Sequence, residues 1–174
     1  AAYKATFYVA GMGGHFAKAE ATINPTAKQP IQVNSLTKID IGGRPDHPVH
    51  DPRIDANDSN ILFWSTYKID KATGAAHVGK TDLKTGNIIM DVDASIPAQA
   101  TKTGSLYCGS GQSKSSYIPI SMANKGYIDV FNKSDLKMTQ RVFLEGTDAD
   151  IGKPYKFYHG VNTPDFKGMT ITIN

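Results

Sequence analysis

Five histidines and a single cysteine are the side chains best suited to chemistry in this 174-residue chain. Neutral imidazole is a good ligand for copper, zinc, iron and nickel, and sets of three or more histidines without thiolates suit copper particularly well. His47 and His159 stand 112 positions apart, and His50 follows His47 by three. Asp46 and Asp51 flank that pair as carboxylates able to fix a ring tautomer through the second nitrogen. His15, after Gly11-Met12-Gly13-Gly14, is expected to be exposed or at the mouth of a channel, and His77, within the strand Ala76–Thr81, reads as an ordinary surface histidine. Lone Cys108 excludes an internal disulfide framework and every CxxC motif, and it reads as a small buried hydrophobe.

Other constellations carry less. Gly11-Met12-Gly13-Gly14 is followed by no helix and no Lys-Ser/Thr, so it is not a phosphate loop. Asp55, Asp58 and Asp70 fall in turns without a twelve-residue calcium-loop pattern and read as solvated carboxylates. Gly109–Ser116 is serine-rich but has no nucleophile-elbow pattern, and is read as a polar loop at a sheet edge.

The elements that must position the histidines are strands, since no stretch of twelve residues holds a convincing 3.6-residue apolar period. Ile61–Tyr67 (ILFWSTY), Tyr117–Met122 (YIPISM) and Met169–Asn174 (MTITIN) begin 56 and 52 positions apart. Asp82-Leu83-Lys84-Thr85-Gly86 and Asp135-Leu136-Lys137-Met138-Thr139 lie 53 apart. A period near 50 with four strands per repeat is the pattern of a β-propeller. The expected fold is all-β, with approximate repeats 1–43, 44–97, 98–150 and 151–174, the last incomplete. That is about three and a half blades where a closed ring needs at least about four, so another chain or a missing segment is expected to complete it. Lys84-Thr85-Gly86 should close an outer hairpin with glycine in the left-handed position, Asn132–Asp135 should form its counterpart, and Trp64 should fill the core between blades.

Within that frame, 112 positions are close to two periods. His47 and His159 then fall at equivalent places on inner strands two blades apart, where side chains from different blades converge on the channel. His50 would join them if Pro48 and Pro52 kink the segment or hold it at a sheet edge.

Composition narrows the partners. Forty per cent hydrophobic and 20% charged residues describe ordinary globular material. The 19 lysines and arginines are scattered, with a net charge of +3, which excludes a nucleic-acid stripe. No apolar run approaches the roughly 18 residues of a membrane helix. The opening Ala1-Ala2-Tyr3 reads like a mature end after cleavage at small residues, so a periplasmic or extracellular location is the expectation.

Thr81-Asp82-Leu83-Lys84-Thr85-Gly86-Asn87-Ile88-Ile89 resembles the outer hairpin of YVTN-type propellers. Tyr158-His159-Gly160-Val161-Asn162-Thr163-Pro164-Asp165 with Met169–Asn174 is similar to the blade opening of the same family, although Phe166 stands where its turn glycine usually sits. The resemblance covers roughly residues 40–174. A narrower one, Asp46-His47-Pro48-Val49-His50-Asp51 with the strand Ile61–Trp64, is to nitrous oxide reductase propellers and the related copper-dependent thiocyanate dehydrogenases. It implies a copper centre on the ring axis held by His47, His50 and His159, acting on a small molecule or inorganic anion and exchanging electrons with a partner. The chain departs from that pattern at Asp46, where the reductases carry the first of paired histidines, and at Leu106-Tyr107-Cys108-Gly109, which has no histidine. It also lacks the cysteine-rich dicopper domain. Two other readings stand beside this one. One is a non-enzymatic propeller that binds a protein, glycan or cell-surface partner; the other is a haem-d1-type propeller with one axial histidine.

Overall fold

The computed structural model describes residues 1–11, 15–40, 49–66, 77–93, 106–108, 114–122, 127–143, 157–162 and 169–173. Every regular element among them is a strand. Val, Ile, Thr and aromatic residues dominate these segments, and such side chains fit a pleated surface better than a helical one.

Four antiparallel sheets follow one another along the chain. Sheet 1 has three long strands, β1 (Tyr3–Gly11), β2 (His15–Ile23) and β3 (Ile31–Asp40). Sheet 2 runs in order through β4 (Val49–Ile54), β5 (Ile61–Thr66), β6 (His77–Asp82) and β7 (Ile88–Asp93). Sheet 3 repeats it with β8 (Leu106–Cys108), β9 (Tyr117–Met122), β10 (Tyr127–Asn132) and β11 (Met138–Phe143). Sheet 4 pairs β12 (Phe157–Asn162) with β13 (Met169–Ile173). The expectation of four strands per repeat is met in sheets 2 and 3, while sheet 1 has three among the described residues.

The sheets stack face to face, and their closest backbone approaches identify the inner strands. β4 meets β1, β8 meets β4 and β5, and β12 meets β9. Sheets that radiate from an axis are nearest one another at the axis, so β1, β4, β8 and β12 are innermost. Sheet 2, between sheets 1 and 3, is therefore covered on both faces along β5. This explains the unbroken apolar run Leu62-Phe63-Trp64, since a strand buried on both sides needs no polar alternation. Leu62 and Trp64 point back to Phe16 and Ile39 of sheet 1, whereas Phe63 and Val78 point forward to Ile118, Ile120, Tyr127 and Phe131 of sheet 3. Trp64 is fully buried between sheets, as its sequence context suggested.

The β6–β7 and β10–β11 turns fix the repeat. Asp82 N–H donates to the Asn87 carbonyl and Gly86 N–H to the Asp82 carbonyl; Asn132 to Lys137 and Leu136 to Asn132 reproduce the same pair of bonds. The Asp82 side chain accepts from Lys84 N–H, and Asn132 does the same for Ser134 N–H. Gly86 adopts the expected left-handed conformation at φ 76°, and its counterpart Leu136 does so at φ 51°. The structural repeat is thus 50 residues here, with Asp82 matching Asn132. The Asp-Leu-Lys likeness at 53 is a coincidence of sequence that would set Asp82 against Asp135. Hydrogen bonding decides the register, and Asn caps the turn as well as Asp.

Candidate functional site

β4 opens sheet 2 as an edge strand and is irregular between His50 and Arg53, where Pro52 has no N–H to give the ladder. The kinked edge expected from the prolines is present. His50 is the second residue of this innermost strand and pairs in register with Ser65. His159 is the third residue of β12, the innermost strand of sheet 4, and pairs with Thr172 across a ladder that also carries an irregularity, between Phe157 and His159. Both histidines therefore lie toward the starting ends of inner strands in alternate sheets. The positions and contacts of their side chains, and all of His47, lie outside the described residues.

The third sheet's contribution at this level follows from register. Ser65 pairs with Val78 and Ser121 with Ile128, which are 50 positions apart like the turns. Tyr107 pairs with Ser121 as His50 pairs with Ser65, so β8 places a tyrosine at the rung where β4 has a histidine. Cys108, the next rung, faces Ile120. Among the described residues no three His, Cys, Asp or Glu side chains converge as metal ligands.

His77 departs from expectation. It is 8% exposed, its ring Nδ1 lies 2.9 Å from Asp91 Oδ1, and its N–H donates to Thr66 Oγ1 at 3.0 Å. The strand containing it is central and covered by sheet 1 on that side, which the local alternation did not reveal. His15 is half-buried at the start of β2, with Nδ1 shielded from solvent and lacking a hydrogen-bond partner among the described residues.

Asp55 is likewise no solvated carboxylate. Its Oδ1 accepts from Lys133 Nζ at 2.7 Å, with both side chains about nine-tenths buried. The pair crosses from the end of β4 to the β10–β11 turn, and Phe63 lies beneath the ammonium at 5.8 Å. Lys80 reaches the same turn and donates to the carbonyls of Lys133 and Ser134 at 3.0 and 2.6 Å. Burial holds the Lys80 ammonium below the ordinary lysine value, offset in part by Asp135 and Asp55. These groups line a groove of about 350 Å³ between sheets 2 and 3. Their charges are matched to one another, so the groove joins the sheets. Nearby, Arg141 clamps Asp129 with two bonds of 2.7 and 2.8 Å and lies over the Tyr127 ring at 3.8 Å. Asp58 behaves as predicted: it is exposed, and the Asn60 backbone and side-chain N–H groups hold its carboxyl below the usual range. Asp70 lies outside the described residues.

No protein-family model matches the sequence, and no curated protein sequence is significantly similar to it. Solved structures do resemble the fold. A dihydro-heme d1 dehydrogenase, NirN, in complex with DHE superposes with a TM-score of 0.55 at 11% identity, over 95% of this chain and 29% of the NirN chain. The Dos1 propeller superposes equally, at 0.55 and 9% identity, over 95% of this chain and 39% of its own. The fold is a partial β-propeller, and the chain spans less than half of either structure. At these identities the likeness shows architecture alone.

Proposed function

We propose that this chain is the metal-bearing portion of an exported β-propeller oxidoreductase. In this reading His47, His50 and His159 bind copper near the ring axis, and the centre acts on a small molecule or inorganic anion with electrons passed to a partner. The observation that supports it is the placement of His50 and His159 toward the same ends of two innermost strands in alternate blades. The donor set fits the group, since three imidazoles without thiolate favour copper. Copper bound there would supply a Lewis-acid and one-electron centre. The chain's own task is to present neutral imidazoles from inner strands, with His50 on β4 between sheets 1 and 3 and His159 on β12 against sheet 3.

The test is elemental analysis of protein purified without chelators or a nickel column, for the wild type and for His50→Ala and His159→Ala. Stoichiometric copper in the wild type, reduced in both variants while their circular dichroism is unchanged, is the expected result. Wild-type protein without transition metal, or copper that survives both substitutions, overturns the reading.

A further inference from the structure

Sheet 1 has one polar face and one apolar face, and the apolar face is open. Register places Tyr3, Phe7 and Val9 of β1 on the same side as Ile31, Val33 and Leu36 of β3, with alanines of β2 between them. Those six side chains are 41% to 70% exposed. The opposite side carries Tyr8, Phe16 and Ile39 where it meets sheet 2, then Lys4, Thr6, Glu20 and Thr22 where it projects beyond that contact into solvent. The polar side thus becomes apolar only where it is covered. The other side is apolar from Tyr3 and Ile31 as far as Val9 and Leu36, short only of the end that carries His15, Lys38 and Asp40. This is the pattern of a face that is covered over most of its length.

We infer that this face is occupied by the same face of a second copy of the chain. Length argues for that occupant. The strands of sheet 1 are nine, nine and ten residues long, roughly 30 Å, whereas no other strand among the described residues exceeds six residues, roughly 20 Å. A blade of ordinary length would leave Tyr3 and Ile31 or Val9 and Leu36 uncovered; sheet 1 of a second copy matches end to end. Charge argues the same way. The ionisable groups that register places on this face, His15, Lys38 and Asp40, are gathered at one end with both signs present. Between them and the Tyr3 phenol at the other end the face is uncharged, so a two-fold pairing buries its apolar stretch without like charges. The six side chains offer on the order of 500 Å² of apolar surface per copy, and with their rim this approaches the roughly 800 Å² per partner of a standard interface. The inference is independent of the metal reading.

Light scattering coupled to size exclusion, on the 174-residue chain at micromolar concentrations, tests it. A dimer is expected, with Leu36→Arg and Val33→Arg each raising its dissociation constant about a hundredfold or more, because each substitution introduces two charges into the contact. Glu20→Gln, on the opposite face, should leave it unchanged. Both arginine sites are solvent-exposed in the single chain, so far-UV circular dichroism should be retained. A folded monomer at about 100 μM, an assembly larger than a dimer, or a dimer indifferent to both arginines overturns the inference.

Discussion

Gly79 lies directly across the ladder from Trp64. A Cβ at this position would sit within 2.5 Å of the indole Cη2 and closer still to Cζ2 and Cε2. The indole cannot give way cheaply, because it is fully buried and its Nε1–H donates to Thr81 Oγ1 at 3.0 Å. Gly79→Ala must therefore displace the ring. Overpacking of this kind costs about 1–3 kcal/mol, and a buried indole N–H torn from its acceptor costs a further ~1–3 kcal/mol. The sum, about 2–6 kcal/mol, is a large part of the ~5–15 kcal/mol that holds a domain together. Urea unfolding followed by fluorescence is the assay, and Trp64 is the only tryptophan, so the reporter is the displaced group itself. Thr81→Val isolates the hydrogen bond and should cost about 1–3 kcal/mol. Gly86→Ala, where a Cβ meets nothing within 4 Å but φ is 76°, should cost only the backbone strain of about 1 kcal/mol. A Gly79→Ala protein within 1 kcal/mol of wild type, with unshifted emission, would refute the reasoning.

The second turn makes the opposite prediction about glycine. Leu136→Gly relieves a left-handed backbone worth about 1 kcal/mol but removes a side chain that is 2% exposed, so a net loss of about 1–4 kcal/mol is expected in chemical denaturation. Lys133→Met strands Asp55 beneath the sheet 2–sheet 3 seam and should cost about 3–5 kcal/mol, while adding Asp55→Leu should recover part of it in a double-mutant cycle. Asp58 has a carboxyl held below its ordinary value, so its contribution is present above that value and fades as pH falls through the lower folded one. Asp58→Ala should therefore flatten the wild-type acid limb in a pH series of thermal melts.

The strands, the outer hairpin closed by Gly86 and the burial of Trp64 were legible in the sequence because each rests on local signals: β-branched runs, Asx-capped turns, an apolar segment. The spacing of the repeat was legible only approximately. Asp82 and Asp135 share a tripeptide but not a structural position, since a turn is specified by its hydrogen bonds and Asn132 makes the same ones. Leu136 was illegible as a left-handed residue because its burial, a tertiary fact, outweighs its backbone preference. The Asp55–Lys133 pair joins residues 78 positions apart, and nothing local announces it. His77 looked like a surface residue for the same reason: its cover comes from another sheet. For the candidate metal residues, the sequence supplied the histidines and the structure supplied strand and rung for His50 and His159.

The crossings of Lys133 and Lys80 between sheets 2 and 3 have a consequence for the way the molecule comes apart. In stacked repeats, stability divides into the strength of each unit and its coupling to the next. Sheets 2 and 3 are coupled by an apolar core, a shielded ion pair and a lysine bound to two carbonyls of the neighbouring turn. Sheet 1 is coupled to sheet 2 by an apolar contact along part of its length. In the single chain, amide protons of β5, β6, β9 and β10 should then exchange together as one slow cooperative unit, while the projecting ends of β1, β2 and β3, uncovered in the absence of a second copy, exchange early through local opening. Dissolution of the fold would proceed from that sheet inward, leaving the Lys133 seam for last.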